Sequence, residues 1–174
     1  TKVREKTSEP QNPPLILGWD AAGKVISVGP EAELFKPGDK VFYAGSIDRP
    51  GSNSSLQLVD ERIVGSMPKT LSFEEAAALP LTSITAWEAL FDRLQIPKNN
   101  SGKSILVLGG AGGVGSIAIQ LANKVAGLKV IASASRPESQ KWCYDLGAHH
   151  VINHHENIPK QLKETGFETV NYAL

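Results

Sequence analysis

Cysteine is nearly absent, Cys143 being the single one in 174 residues. One thiol forms no internal disulfide and supplies no zinc site of several thiolates, so a reducing, cytoplasmic setting fits the chain. Net charge is missing too: Lys plus Arg and Asp plus Glu stand at 18 each. No excess of one sign points to nucleic acid or an anionic membrane as a partner. The first residues, TKVREKTSEP, are polar and carry no signal-peptide pattern. No apolar run reads as a membrane span either. In the most apolar window, Ile105 to Ala122, glycines between Gly109 and Gly115 would break a spanning helix in its middle, and aromatic or basic flanks are wanting. Repeats and low-complexity tails are also lacking.

What is present changes period along the chain. The segment Thr1 to Pro14 is charged and then proline-rich, which predicts a surface segment without regular structure. Short runs rich in valine and isoleucine follow, LILG, GKVISVG, DKVFYAG and SLQLVDERIV, separated by turn signals at GPEAELFKPGD and DRPGSNSS. They predict a small β-rich unit ending near Pro68, with Trp19 and Asp20 in a glycine-flanked turn between its first two strands. Ser72 and Glu75 form a capping box ahead of an alanine-rich helix that Pro80 stops. LTSITAWEALFDRL then sets Ile84, Trp87, Ala89/Leu90 and Leu94 at helical spacing.

From Ser104 strands alternate with helices: SILVLG, GVGSIAIQLANKVAG closed by Gly127, LKVIASAS, PESQKWCYDLGA, HHVIN, NIPKQLKET and FETVNYAL. Such alternation predicts βαβ crossovers and a parallel sheet. A doubly wound nucleotide domain ordinarily holds two more strands than these four, so a fragment of a longer protein is expected.

The run Gly110-Ala111-Gly112-Gly113-Val114-Gly115 fits G-x-G-x-x-G directly after a buried strand and at the opening of a helix. In that setting Gly110 permits a tight turn, Gly112 lets the backbone approach a pyrophosphate, and Gly115 lets the helix pack close on the strand. The N–H groups at the helix start then face the phosphates. About twenty residues on, where an Asp or Glu would bind a ribose 2′-hydroxyl, the chain has Ser133-Ala134-Ser135-Arg136. Hydroxyls and a guanidinium suit a 2′-phosphate, which favours NADP(H) over NAD.

All four histidines lie in AHHVINHHEN. His150 and His154 share a face if VIN is a strand, but two imidazoles lack a third ligand and Glu156 falls on a predicted loop. The cluster therefore reads as a polar rim at the adenosine end of the cofactor cleft, with His154 as a contact and no metal. Cys143, beside Trp142 and Tyr144 on a helix, reads as packing.

PLILGWDAAGKVISVG with FKPGDKVF, then LSFEEAAALPLTSITAWEAL, GGAGGVG and LGAHHVIN, resembles the medium-chain dehydrogenase/reductase superfamily, and within it the quinone oxidoreductase-like, zinc-type alcohol dehydrogenase-like branch. The resemblance covers nearly the whole chain. It implies an α/β protein with a truncated Rossmann-type parallel sheet and part of a β-rich GroES-like domain. Residues 1–70 would be the partial GroES-like catalytic domain and 71–174 the partial nicotinamide dinucleotide-binding domain, with 71–94 as connecting helices. Zinc-dependent members have GHE where this chain has Gly18-Trp19-Asp20, and a four-cysteine lobe where Gly45 to Ser55 has none. Tryptophan does not ligate zinc. The resemblance thus implies a zinc-independent, NADPH-dependent reductase of quinone-like or α,β-unsaturated carbonyl substrates, homodimeric at full length. A zinc-dependent alcohol dehydrogenase and a non-catalytic NADPH-binding sensor are the alternatives.

By the same resemblance Thr85 and Val114 lie beside the nicotinamide, and Trp19, Asp20 and Tyr43 line the substrate side. Each of these three also has a structural reading: Trp19 as core, Asp20 as a turn cap or the partner of a nearby lysine, which is favoured over a role as proton donor, and Tyr43 as strand packing. A lysine that often helps hold the 2′-phosphate is Ser139 here, with Lys141 nearby but shifted.

Overall fold

The computed structural model describes residues 14–174. The segment expected to lack regular structure lies, as far as residue 13, outside the described residues. The chain divides into two compact units, Thr1–Leu81 and Thr82–Leu174. The division falls inside the 71–94 stretch expected to connect two domains.

In the first unit, strands β1 (Asp20–Lys24), β2 (Lys40–Ala44) and β3 (Val64–Ser66) form an antiparallel sheet in chain order. Ala21 stands opposite Tyr43, and Phe42 opposite Gly65. Three expected strands differ, and of GKVISVG only Gly23 and Lys24 lie in β1, which ends before Val25. LILG is not a strand, because the backbone of Ile16, Leu17 and Gly18 accepts from the N–H groups of Gly51, Asn53 and Ser52, a loop rather than a ladder. Gly51 packs so tightly on Leu17 that a Cβ there would clash with its carbonyl carbon. Asp20 consequently opens β1, with Trp19 just ahead of it rather than in a turn, and the Gly45 N–H donates to the Trp19 carbonyl at 2.7 Å. SLQLVDERIV contributes only its end, since Asp60 caps a 3-10 turn over Glu61–Ile63 and delays pairing until Val64.

The capping box forms as expected. Ser72 Oγ accepts from the Glu75 N–H at 3.2 Å and Glu75 Oε2 from the Ser72 N–H at 2.8 Å, opening α1 (Phe73–Ala77). Helix α2 (Pro80–Trp87) starts on the proline. Asp20 Oδ1 accepts from the Leu81 N–H at 2.7 Å, so a carboxylate at the head of β1 satisfies an orphan donor at the positive end of α2. A wider π-helical turn, Glu88–Arg93, follows. The stripe predicted from regular spacing already breaks ahead of that turn, within α2. Ala86 and Leu90 are buried while Ile84 and Trp87 remain 45% and 42% exposed.

The second unit is a parallel sheet of β4 (Ser104–Val107), β5 (Lys129–Ser133), β6 (His150–Ile152) and β7 (Tyr172–Ala173), in the order β6-β5-β4-β7. Every residue of β4 is buried, as a strand covered on both faces requires. Ile105, Val107, Val130 and Ala132 pack in one cluster with Ala118, Ile119 and Ala122 of α3 (Gly113–Lys124) and Cys143 of α4 (Pro137–Asp145). Leu106, Ile131 and Ile152 belong to a second cluster with Leu162 of α5 (Ile158–Glu164). The alternation along β4 and β5 therefore feeds two helical layers. The chain winds outward from β4 through β5 to β6, then returns to the other side of β4, which makes β4 the point where strand order reverses. Among the described residues no helix is long and apolar enough to cross a membrane.

His149 extends the edge of this sheet with its side chain. Its Nδ1 accepts from the Val130 N–H at 3.0 Å, and its own N–H donates to the Val130 carbonyl at 2.8 Å. Burial, with help from Lys129 and His150, lowers its pKa from the ordinary 6.5.

Two outcomes follow from these contacts. Asp20→Ala should lower unfolding stability by about 1 kcal/mol in urea titrations, the worth of a helix cap, and Asp20→Asn should recover most of it. Protonated Nδ1 cannot accept from Val130, and the unfolded chain takes up that proton near 6.5 while the folded one does so only at lower pH. The stability due to His149 is then complete above 6.5 and is lost as pH falls from there through the lower folded value. His149→Asn should flatten that part of the urea-midpoint profile.

Candidate functional site

β4 runs without interruption into the glycine loop, and the loop into α3. Gly109 turns the chain at a φ of +65°, a left-handed conformation that glycine adopts at little cost. A Cβ on Gly115 would collide with the Gly109 carbonyl oxygen, and one on Gly110 would sit 2.8 Å from Ala132 Cβ and 3.0 Å from Cys143 Sγ. Packing demands both glycines, as expected for Gly115; the tight turn expected at Gly110 falls at Gly109 instead, and Gly110 is required by its contacts with Ala132 and Cys143. Gly112 differs. A Cβ there meets only the Gly109 carbonyl oxygen, at 3.2 Å, and the residue is exposed. Small size here serves the outer side of the loop more than the interior.

Gly112 is the N-cap of α3, and no side chain caps that end. Orphan N–H donors and the positive end of a 12-residue helix thus meet a loop whose only side chain is the Ala111 methyl, at the reversal point of the sheet. In open α/β sheets that crevice, outside the carboxyl ends of the strands, is where ligands bind. A pyrophosphate fits both the charge and the close approach.

Helix α2 reaches the same place. Thr82 Cγ2 lies 2.8 Å from where a Cβ on Gly113 would stand, so glycine at 113 is what lets the helix pass so near. Thr85, three residues on, shares the Thr82 face of α2 and is exposed. Val114, in the first turn of α3, is partly buried. Sequence reasoning missed Thr82, whose only signal is that spacing from Thr85.

The carboxyl ends of parallel strands share one edge of the sheet, and the predicted adenosine-side residues fall along it. Ser135 is partly buried and Arg136 exposed immediately after β5, and His154 is exposed after β6 with its ring 4.4 Å from that of His155. Ser133 is different from expectation. It is 1% exposed, and its hydroxyl accepts from the Gly109 N–H at 2.9 Å. The last residue of a strand buried on both faces turns its hydroxyl into the protein, not toward a 2′-phosphate. Lys141 is also engaged elsewhere, in an exposed ion pair with Asp145 one turn along α4, at 2.6 Å. Cys143 is fully buried against the loop, and burial raises its pKa, so it remains a packed thiol.

On the first unit, Tyr43 O–H donates to Gln57 Oε1 at 2.6 Å, and Gln57 Nε2 donates to the Pro50 carbonyl at 2.8 Å. The tyrosine's pKa is raised by burial, which keeps the phenol neutral. Tyr43 and Gln57 line a cavity of about 880 Å³ with apolar walls from Val41, Phe35, Leu56 and Leu58. Trp19 and Asp20 do not line it. By strand register Trp19 falls opposite Gly45 on the face of Tyr43, while Asp20 takes the other face and is held at α2. The Trp19 indole N–H is buried and has no acceptor among the described residues. No group of three His, Cys, Asp or Glu residues among them is arranged to hold a metal.

Comparison with known proteins bears on both units. The alcohol dehydrogenase GroES-like domain family matches residues 1–88, and the zinc-binding dehydrogenase family matches residues 113–174. The chain is 49% identical over 175 residues to a zinc-type alcohol dehydrogenase-like protein of Staphylococcus aureus, covering 99% of this chain and 52% of the relative. It is 43% identical over 147 residues to a 2-methylene-furan-3-one reductase of Solanum lycopersicum, covering 81% of this chain and 37% of that protein. The solved Escherichia coli quinone oxidoreductase complexed with NADPH superposes with a TM-score of 0.81 at 34% identity, covering 98% of this chain and 51% of that one. The chain spans about half the length of the first of these relatives. With a GroES-like first part and a Rossmann-type parallel sheet in the second, the chain belongs to the medium-chain dehydrogenase/reductase superfamily of oxidoreductases.

Proposed function

We propose that the protein is a zinc-independent, NADPH-dependent reductase of quinone-like or α,β-unsaturated carbonyl compounds. The observation that carries this reading is the glycine loop leading to an uncapped helix start at the reversal point of the parallel sheet. NADPH bound there supplies a hydride to an electron-poor ring or alkene. The backbone from Gly112 to Gly115 seats the pyrophosphate against the helix dipole. Ser135 and Arg136 hold the 2′-phosphate, Arg136 through charge-assisted hydrogen bonds, with His154 at the adenosine rim. Thr85 and Val114 flank the nicotinamide, and Thr82 fixes how near α2 comes to the loop.

On the substrate side, Trp19 and Tyr43 offer apolar ring faces to a flat molecule. Asp20 acts as the cap of α2 rather than as a proton donor, because its Oδ1 is committed to Leu81. Tyr43 keeps its proton at neutral pH and passes its hydrogen bond to Gln57. Zinc independence is supported by the donor set: tryptophan at position 19 and no cysteine between Gly45 and Ser55 leave no thiolate or imidazole there to polarise an alcohol-derived carbonyl. A quinone or enone needs no such polarisation. The single cysteine, buried and unpaired, suits a cytoplasmic, reducing location.

Following NADPH absorbance with a panel of quinones and enones tests the activity on the intact protein. Substrate-dependent oxidation unaffected by a zinc chelator is the expected result; activity confined to alcohols and restored only by zinc would refute it. In the same protein Arg136→Ala should weaken NADPH binding by about 1–3 kcal/mol and leave NADH nearly unchanged, as measured by calorimetric titration. Equal losses for both cofactors would remove Arg136 from the 2′-phosphate site.

A further inference from the structure

Ser133 ends β5 and gathers two consecutive donors of the neighbouring loop. Its Oγ accepts from the Gly109 N–H, and its backbone carbonyl from the Gly110 N–H, both at 2.9 Å. The bonds continue outward. The Gly109 carbonyl accepts from the Gly112 N–H at 2.9 Å, and the Gly112 carbonyl from the Ser116 N–H at 2.8 Å, in the first turn of α3. A buried hydroxyl is thereby connected, through main-chain groups alone, to the N-cap that would carry a phosphate.

We propose that Ser133 is a positioning residue: its hydroxyl fixes the orientation of the glycine loop, and so the pyrophosphate seat, without touching the cofactor. The inference rests on the reading of this loop as a dinucleotide site. Gly109 has no side chain to restrain it and lies at a positive φ, so its N–H direction is set by whatever accepts from it. With alanine at 133 that N–H loses its acceptor, and, on a residue exposed to solvent, it turns to water instead. Such a turn moves the Gly109 carbonyl, on which the Gly112 N–H depends. Discrimination between NADPH and NADH would be untouched, because Ser133 faces inward and Arg136 outward.

Ser133→Ala, Ser133→Thr and Arg136→Ala, made in the intact protein, are titrated with NADPH, NADH and adenosine 2′-monophosphate, which lacks a pyrophosphate. Ser133→Ala should weaken both dinucleotides alike by about tenfold, the equivalent of one net hydrogen bond, and change the monophosphate by less than about twofold. Ser133→Thr, which keeps the hydroxyl, should restore both. Arg136→Ala should show the complementary pattern, losing NADPH and the monophosphate together and sparing NADH. Wild-type affinity in Ser133→Ala overturns the inference, as does a parallel loss of NADPH and monophosphate with NADH spared, which would put the hydroxyl on the 2′-phosphate. Wild-type protein that binds neither dinucleotide removes the dinucleotide reading itself, and the inference with it. Should Ser133→Ala fail to fold, Ser133→Val set against Ser133→Thr isolates the hydroxyl at nearly constant shape, and equal affinities in that pair overturn the proposal.

Discussion

Helix α3 approaches β4 so closely that Gly115 rests on the Gly109 carbonyl, with no room for a methyl group between them. Much of the second unit follows from that contact. It brings the helix start directly over the end of the strand, obliges Gly109 to turn with positive φ, and leaves Gly110 wedged against Ala132 and Cys143. On its inner side the loop then has no room for a side chain at Gly110, and only the small Ala111 methyl packs on the core. What it exposes is main chain, in the place where the order of strands reverses.

The adjacent strand supplies the restraint that a loop of glycines cannot supply for itself. Glycine loses more conformational freedom on ordering than other residues, and here the loss is offset by bonds to Ser133 and by the turn from Gly109 to Gly112. The end of β5 thus divides its polar groups: Ser133 inward to the loop, Ser135 and Arg136 outward along the edge. In the first unit a comparable long-range restraint is Asp20, whose carboxylate joins the head of β1 to the start of α2. In both cases a side chain distant in sequence settles where a short element begins.

Much of the chain beyond the first sheet was legible because its signals are local. Continuous apolar runs of four or five residues marked β4 and β5, the capping box marked α1, and proline at the first turn marked α4. In the first unit alternation misled. LILG and SLQLVDERIV have the period of strands, but Ile16 to Gly18 is bonded to the 51–53 loop and Asp60 caps a turn, so neither segment joins the sheet over most of its length. The stripe through Ile84 and Trp87 failed because the helix buries its Ala86 side, with Leu90 following, and leaves Ile84 and Trp87 out.

The sequence by itself determined the strand-loop-helix unit from Ser104 to Lys124, the parallel class of its sheet, and the absence of histidine and cysteine at position 19 and between Gly45 and Ser55. These follow from residue identity and short spacing, which neighbours along the chain decide. Only the tertiary structure decided which hydroxyl of Ser133 and Ser135 is turned inward, that Asp20 is a cap, that Lys141 pairs with Asp145, and that Thr82 stands against Gly113. Each depends on which groups lie opposite in a different element, and a strand buried on both faces carries no polar alternation from which that choice could be read.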